Sequence, residues 1–342
     1  MKKKIKALLL LGLVFLGGCG QTSAPSVSSA GTDSQSIDLF AMDTAMTLTA
    51  YGDHAGEALE AAKSEIERLD ALFSISSESG DIYALNHNHT VALHEDTRTL
   101  LSRALEVSAS TGGIFDCTIE PVMQAWGFTT QDYRVPTPAE LSTLLAHVDY
   151  TQVQLDGSTA AIPDDVQVDL GGIAKGYAAD LCADILKSAD ADGLLVLGGN
   201  IYAVGTNEGK DWNIGIADPD DSADTIAAVA VHDLSVVTSG DYERYFEQDG
   251  VRYHHIFDPK TGYPAASGLR SVTVIDANST RADALTTALF VMGADKGRAY
   301  CEENGIAAVF VTADKQVFTT SRVADVCTFT FTGEDKGYTY AQ

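Results

Sequence analysis

Residues 193–204 read GLLVLGGNIYAV, an apolar run that is typical of a β-strand and includes the pair Gly198-Gly199. Similar short runs, rich in β-branched residues and bounded by Gly, Asp and Asn, occur at residues 212–217, 225–239, 271–276, 306–312 and 316–320. Neighbouring strands that are joined by short turns pair antiparallel. The second half of the chain therefore predicts mainly antiparallel sheet.

Helical periodicity appears between and before these strands. Residues 37–51 alternate in the manner of a strand, and residues 55–73 then carry apolar side chains at helical spacing. Further helices are predicted at residues 97–110, 173–189 and 278–293, and at the capping box Thr137-Pro138-Ala139-Glu140. Groups of strands with helices between them indicate an α+β fold with antiparallel sheets flanked by helices, and disfavour a doubly wound parallel sheet.

The N-terminus has the features of an export signal. Four lysines precede an apolar stretch at residues 7–16, which is too short to span a bilayer, and Leu16-Gly17-Gly18-Cys19 follows. The spacing resembles the bacterial lipobox; the alternative is an ordinary signal peptide with a chance cysteine. We expect residues 1–18 to be a lipoprotein signal peptide and Cys19 to be lipidated. Residues 19–36 are then a flexible tether at the outer face of the cell membrane, and residues 37–342 are the folded domain.

The charge of the chain excludes some partners. It has 48 acidic and 22 basic residues, a net charge of −26, and loss of the four signal lysines makes it −30. Such a body repels nucleic acid and anionic lipid, so membrane contact is expected through the lipid and partner proteins. Cys117, Cys182, Cys301 and Cys327 form no Cys-x-x-Cys pair, and we expect buried free thiols or one incidental disulfide.

A candidate phosphate site lies at residues 168–179. Asp169, Gly171-Gly172 and Lys175 stand where a strand leads into a helix, and unpaired N–H groups at a helix start favour phosphate. A tight turn with no ligand is the alternative. The segment lacks the Walker pattern, which disfavours an ordinary ATPase.

A candidate magnesium site lies at residues 281–287. Asp283 and Thr287 are four residues apart and share one face of a predicted helix. Carboxylate and hydroxyl oxygens suit Mg²⁺, which keeps coordination sites for water or phosphate. An aspartate in a first helical turn is, however, often only a cap.

A candidate general base lies at residues 253–262, where His255 precedes Asp258 in a turn set by Pro259 and Gly262. The alternative is a turn whose aspartate binds its own backbone. The glycine segments at residues 111–116 and 197–200 could bring backbone close to a ligand, or could be a helix stop and a strand bulge.

Together and in this order, these segments resemble the ApbE-type FAD:protein FMN transferases. The resemblance rests on seven motifs that span nearly the whole chain after the signal: Met42-Asp43-Thr44, Gly113-Ile114-Phe115-Asp116 with Trp126-Gly127-Phe128, residues 169–176, Leu197-Gly198-Gly199-Asn200, Ser239-Gly240-Asp241-Tyr242, residues 255–262 and residues 283–287.

The resemblance implies a T-fold-like α+β domain that binds FAD and Mg²⁺ and moves FMN onto a Thr or Ser of a partner protein, releasing AMP. It implies that FAD contacts Met42, Ile114, Phe115, Asp116, Asp169, Lys175 and Phe257. Magnesium would be held by Asp283, Thr287 and the carbonyl of Gly172. His255 would activate the acceptor hydroxyl, with Asp258 orienting it.

The resemblance also implies the kind of acceptor. It would be a subunit of a sodium-pumping NADH:quinone reductase or Rnf-type membrane complex, or an extracellular flavin reductase. One position departs from the family: Ser76 stands where many members carry an aromatic residue over the flavin. Water is then expected to reach the phosphate more easily, and some FAD to be hydrolysed. Two further functions stay open, a magnesium-dependent FAD pyrophosphatase and a flavin-binding lipoprotein without catalysis.

Overall fold

A nine-stranded sheet organises the part of the chain that the computed structural model describes, residues 34–341. The predicted signal peptide, Cys19 and most of the predicted tether lie outside these residues. The first strand begins at Gln35, so the last two residues assigned to the tether belong to the sheet instead.

The strands are β1 (Gln35–Ala41), β2 (Thr44–Tyr51), β3 (Thr90–Ala92), β4 (Gln154–Asp156), β5 (Thr159–Ala161), β6 (Asp192–Leu197), β7 (Asn200–Val204), β8 (Trp212–Asp218), β9 (Asp221–Val231), β10 (Leu234–Gly240), β11 (Tyr245–Gln248), β12 (Val251–His254), β13 (Leu269–Asp276), β14 (Ala307–Thr312), β15 (Gln316–Thr319), β16 (Thr328–Phe331) and β17 (Thr339–Ala341). The helices are α1 (Ala55–Phe73), α2 (Asp81–Asn88), α3 (Glu95–Ser110), α4 (Glu120–Trp126), α5 (Pro138–Leu145), α6 (Ala174–Ser188), α7 (Ser279–Met292), α8 (Ala294–Asn304) and α9 (Val323–Val326).

The large sheet has the order β1-β2-β6-β7-β10-β13-β14-β15-β17 and is antiparallel except where β17 pairs with β15. Two three-stranded sheets, β16-β9-β8 and β3-β5-β4, and the hairpin β11-β12 are also antiparallel. The predicted α+β class with antiparallel sheets is confirmed.

The sheet has a core on each face. Helices α1, α6 and α7 cover one face, where residues such as Leu59, Leu195 and Leu289 are fully buried. The sheet β16-β9-β8 covers the other face with Trp212, Ile226 and their neighbours. Because successive side chains of a strand point to opposite faces of the sheet, the same strand contributes apolar residues to both cores. A third, smaller aromatic cluster around Trp126 and Phe128 joins α4, α5 and the hairpin β11-β12.

Three runs that the sequence analysis treated as single strands each contain two strands: two of the runs are hairpins, and the third joins strands of different sheets. Residues 37–51 turn at Met42-Asp43, residues 193–204 turn at Gly198-Gly199, and β9 and β10 divide residues 225–239. The helix predictions hold to within one or two residues, and Thr137 Oγ1 accepts the Glu140 N–H at 3.3 Å, as the capping box predicts.

The first turn is conformationally strained. Met42 and Asp43 both have positive φ, 49° and 58°, although neither is glycine. Such residues cost about 1–2 kcal/mol each relative to ordinary backbone. The Met42 N–H donates to Asp70 Oδ1 at 3.0 Å, which fixes the turn against the end of α1. A strained, half-buried turn of this kind is often found at a functional site.

The four cysteines of the described chain are free thiols, and Cys117, Cys182 and Cys301 are buried. This agrees with the first of the two expectations, buried thiols, for three of the four. Within residues 34–341, no helix combines the length and the apolar character that crossing a bilayer requires.

Candidate active site

The loop before α6 is held in place from two sides. Asn86 clamps Val168, because its Oδ1 accepts the Val168 N–H and its Nδ2 donates to the Val168 carbonyl, both at 2.8 Å. The Asp169 N–H donates to the Cys117 carbonyl at 2.8 Å. Asp169 Oδ1 in turn accepts the Gly171 N–H at 2.8 Å. These hydrogen bonds fix the backbone that leads into α6.

This loop retains free backbone donors. The N–H groups of Gly172 and Lys175 donate to no residue of the described chain. Unpaired N–H groups at the start of a 15-residue helix make an anion site, because they and the helix dipole point the same way. The loop therefore offers free backbone donors at the position where the sequence predicts a phosphate site.

Helix α7 lies directly against this loop. The Gly176 N–H donates to Asp283 Oδ2 at 2.9 Å, and a Cβ on Gly176 would lie 2.2 Å from the Ser279 carbonyl oxygen. Only glycine permits this approach. Asp283 is 4% exposed, and its Oδ1 lies 3.8 Å from Lys175 Nζ. The predicted phosphate and magnesium residues therefore meet at one place.

The carbonyl of Gly172 is left without a helical partner. In a regular helix it would accept the Gly176 N–H, but Asp283 has taken that donor, and no other N–H within residues 34–341 replaces it. A Cβ placed on Gly172 would lie 4.0 Å from Thr287 Oγ1 and 3.1 Å from the Phe115 ring. The Asp283 carboxylate and the Thr287 hydroxyl thus both lie beside this loop.

His255 stands at the end of β12 and is held by the backbone of Arg244. The His255 N–H donates to the Arg244 carbonyl at 3.1 Å, and Nδ1 lies 3.2 Å from the same oxygen. A carbonyl can only accept, so Nδ1 carries the proton and Nε2 presents a free lone pair. Burial, followed by the charge of Arg244, lowers the pKa of His255 to about 3. The neutral imidazole is the form that a general base requires.

Asp258 does not orient His255. Its Oδ1 accepts the Lys260 N–H at 2.9 Å, and its carbonyl accepts the N–H groups of Thr261 and Gly262 at 3.1 and 2.8 Å. The expectation that Asp258 positions the base is therefore corrected. The local turn, which the sequence left open as the alternative, satisfies this carboxylate, and the Arg244 carbonyl fixes the histidine.

The remaining predicted FAD residues differ in how freely they face a ligand. Met42 and Ile114 are half-buried, and Phe115 contacts the glycine loop from the side of α3. Asp116 is buried, with Oδ1 accepting from the Thr118 N–H and hydroxyl at 2.8 and 2.6 Å and Oδ2 accepting from the Tyr150 N–H at 3.1 Å. Its carboxylate therefore fixes the backbone at Thr118 and Tyr150.

Phe257 belongs to the aromatic cluster beneath His255. It is 4% exposed, and its ring centroid lies 5.6 Å from those of both Trp126 and Phe128. The Phe128 ring in turn lies 6.4 Å from the His255 imidazole. Phe257 therefore packs against Phe128, which in turn lies beside the imidazole of His255.

Three charged residues near the site were not predicted. Glu120 is 1% exposed and its Oε2 has no hydrogen-bond partner among the described residues. Burial and the charge of Asp169 raise the pKa of Glu120 to about 8. Glu243 and Arg244 directly follow the quoted segment 239–242, and Glu243 Oε1 would lie 3.0 Å from a Cβ on Gly199. The only sequence signal for Glu243 and Arg244 was their position directly after residues 239–242.

Several groups of the site combine exposure to solvent with desolvation by the surrounding protein. Asp169, Glu243 and His255 each retain solvent-accessible surface, yet enclosing protein shifts the pKa of all three. Desolvation raises the pKa of Asp169 above its usual range and that of Glu243 to about 7. Titratable groups perturbed in this way are of the kind that catalysis uses.

Comparison with known proteins identifies close relatives. A model of the ApbE family matches residues 42–310. The FAD:protein FMN transferase of Treponema pallidum is 38% identical over 291 residues, covering 78% of this chain and 80% of the relative. That of Haemophilus influenzae is 31% identical, covering 94% and 96%.

Solved structures agree. The crystal structure of the ApbE protein from Thermotoga maritima superposes with a TM-score of 0.82 at 34% identity, covering 86% of this chain and 99% of that one. The apo flavinyl transferase ApbE of Pseudomonas stutzeri gives 0.77 at 32% identity, with 86% and 97% coverage.

Proposed function

The chain belongs to the ApbE family and transfers FMN from FAD to a protein; we propose that the accepting group is a Thr or Ser hydroxyl and that the reaction requires Mg²⁺. The observation that supports the metal assignment is the Gly172 carbonyl, which accepts no N–H of the described chain, in a loop that neighbours Thr287 and leads to the Gly176 N–H bound by Asp283.

The donor set fits a hard cation. Within residues 34–341, no three His, Cys, Asp or Glu side chains gather as a metal cluster, so a cation here must use hydroxyl and carbonyl oxygens as well. One carboxylate, one hydroxyl and one carbonyl leave coordination sites for water and phosphate, as Mg²⁺ prefers. When bound, the ion would neutralise charge on the pyrophosphate oxygens.

The protein groups have distinct roles in the proposed step. The acceptor hydroxyl gives its proton to His255 Nε2, and its oxygen forms a bond to the phosphorus of the FMN half. The bond from that phosphorus to the oxygen of AMP breaks, and AMP leaves with the electron pair. The free N–H groups of Gly172 and Lys175 hold the phosphates in line for attack. Phosphoryl transfer asks little more than such positioning, charge stabilisation and a base.

One assay separates this function from its alternatives. The protein is mixed with FAD, Mg²⁺ and a candidate acceptor subunit, and the denatured acceptor is tested for flavin fluorescence and the solution for AMP. Transfer gives both signals. AMP without a fluorescent acceptor would favour an FAD pyrophosphatase, and neither signal would favour a binding protein without catalysis.

We further propose that the acceptors are membrane redox subunits or extracellular flavin reductases and that a lipid on Cys19 confines the enzyme to their surface. A lipid anchor with a flexible tether raises the effective concentration of membrane-bound acceptors. The acidic chain, with a net charge of −26, would be repelled by anionic lipid and depend on that anchor.

Replacement Cys19→Ser is expected to release the protein from the membrane fraction and to slow flavinylation of a membrane acceptor. Its rate on a soluble acceptor fragment should equal that of the unaltered protein. Fractionation with immunodetection, together with both rates, measures this. A Cys19→Ser protein that stays in the membrane fraction would show that another element anchors it.

Ser76 predicts a further property. It is exposed, and its hydroxyl contacts only the Ser74 hydroxyl, at 3.1 Å, among the described side chains, so a larger residue can replace it without loss of core packing. Ser76→Tyr is expected to tighten FAD binding about 3- to 10-fold, because an aromatic stack adds about 0.5–1.5 kcal/mol. It should also lower AMP release in the absence of acceptor.

Ser79→Tyr, at another exposed serine of the same loop, is the matched control. Titration of flavin fluorescence gives the affinity, and chromatography gives AMP. If the unaltered protein releases no AMP from FAD without an acceptor, the proposed loss of shielding is wrong.

A further inference from the structure

Arg244 lies beside His255, in the bend between β10 and β11. Its backbone carbonyl is committed to His255, but its side chain is largely exposed. One guanidinium nitrogen, Nη2, donates to the Phe128 carbonyl at 3.1 Å, which steers the side chain toward the aromatic cluster. The guanidinium has further N–H donors to offer.

The guanidinium forms no ion pair with the described residues. No carboxylate oxygen within residues 34–341 lies within 4.0 Å of it, although the chain has 48 acidic residues against 22 basic ones. Most other arginines of the fold pair with an acid, as Arg252 does with Glu247 at 3.6 Å on the neighbouring hairpin. An unpaired guanidinium beside the candidate base is available to a substrate anion.

The positive charge of Arg244 acts on the titratable side chains of the site. Its positive charge favours the ionised forms of Glu120, Asp169 and Glu243 and the neutral form of His255. Lys175 acts in the same direction on Asp169, Glu243 and His255 from the start of α6. Two cations on different elements thus act electrostatically on the same set of side chains, which includes the base.

We propose that Arg244 binds the pyrophosphate of FAD from the β10–β11 side and stabilises the oxygen of the departing AMP. This rests on the proposed function, since it assigns a role within the same reaction. As the hydroxyl proton moves to His255 Nε2 and the new bond to the FMN phosphorus forms, the broken bond leaves its electron pair on the AMP phosphate. Arg244 donates hydrogen bonds to that phosphate where the charge develops.

The test separates phosphate binding from folding by using two partial ligands. ADP carries the pyrophosphate, and riboflavin carries only the ring. Arg244→Met is expected to weaken ADP binding about 10- to 100-fold and leave riboflavin binding unchanged, as measured by calorimetry. It should also lower kcat for transfer about 100-fold or more. The backbone carbonyl that holds His255 is retained in this variant.

Two further variants keep the outcome decisive. Arg252→Met removes an exposed arginine of the same hairpin and should bind ADP and turn over like the unaltered protein. Arg244→Lys keeps the charge and should recover ADP binding to within a few fold. The proposal is overturned if Arg244→Met binds ADP normally, if Arg244→Met also loses riboflavin binding, or if Arg244→Lys binds ADP as weakly as Arg244→Met. Because binding is measured without an acceptor, these results stand even if the transfer assay fails.

Discussion

Replacement of Asp283 by Asn is expected to lower metal-dependent transfer about 1000-fold while leaving the fold intact. A metal ion contributes several kcal/mol of charge stabilisation to phosphoryl transfer, and the loss of a carboxylate ligand removes most of it. Asn keeps an oxygen that can accept the Gly176 N–H, the contact that Asp283 makes at 2.9 Å. The measurement is kcat as a function of Mg²⁺ concentration.

The structure explains why Asn is a sharper test than Ala. Asp283→Ala would leave the buried Gly176 N–H without a partner, at a cost of about 1–3 kcal/mol in the free energy of unfolding. Asp180→Asn is a suitable comparison, because Asp180 also accepts backbone N–H groups, those of Ser279 and Thr280, at the start of the same helix. If Asp283→Asn turned over at the normal rate, the metal assignment would be wrong.

Replacement of His255 by Asn is expected to lower kcat about 100- to 10,000-fold with little change in FAD affinity. General-base catalysis typically contributes that factor. The Asn amide can still donate to the Arg244 carbonyl, as Nδ1 does at 3.2 Å, but it has no group at the position of Nε2. Transfer kinetics and FAD titration together distinguish loss of the base from loss of binding.

The pH dependence gives an independent check on the same residue. Because the pKa of His255 is lowered to about 3, the imidazole stays neutral as the pH falls from 8 to about 5. Protonation of His255 should therefore not reduce kcat/KM over this range. His232→Asn, at an exposed histidine that contacts Asp211, is the control. An acid limb near the ordinary histidine pKa that disappears in His255→Asn would contradict the assigned environment.

Much of the fold follows from local patterns. Helix α1 is predicted by apolar spacing because its buried face is continuous, whereas α6 and α7 are predicted from the segments that precede them. The hairpin at Met42-Asp43 is missed because its turn uses two non-glycine residues at positive φ, where turn signals normally depend on glycine. The turn at Gly198-Gly199 was visible, but a Gly pair inside an apolar run does not by itself distinguish a bulge from a reversal.

The site is predicted in part for a similar reason. Lys175 and Asp283 lie close together, and Gly172 lies close to Thr287, because Gly176 in α6 allows α7 to approach. The partner of His255 was assigned to the wrong residue. Asp258 is near in sequence, whereas the Arg244 carbonyl comes from across the hairpin β11-β12. Likewise, Glu120 looks like a solvated charge until the fold buries it, and the sequence does not show that the exposed Arg244 side chain lies beside His255.

The central claim is that cleavage of FAD is coupled to covalent modification of a protein hydroxyl. The most direct measurement is the intact mass of an acceptor subunit after incubation with the protein, FAD and Mg²⁺, followed by mapping of the modified peptide. We predict a mass gain of one FMN less one water, located on a Thr or Ser, and AMP in at least equal amount. An acceptor of unchanged mass in a reaction that releases AMP would contradict it.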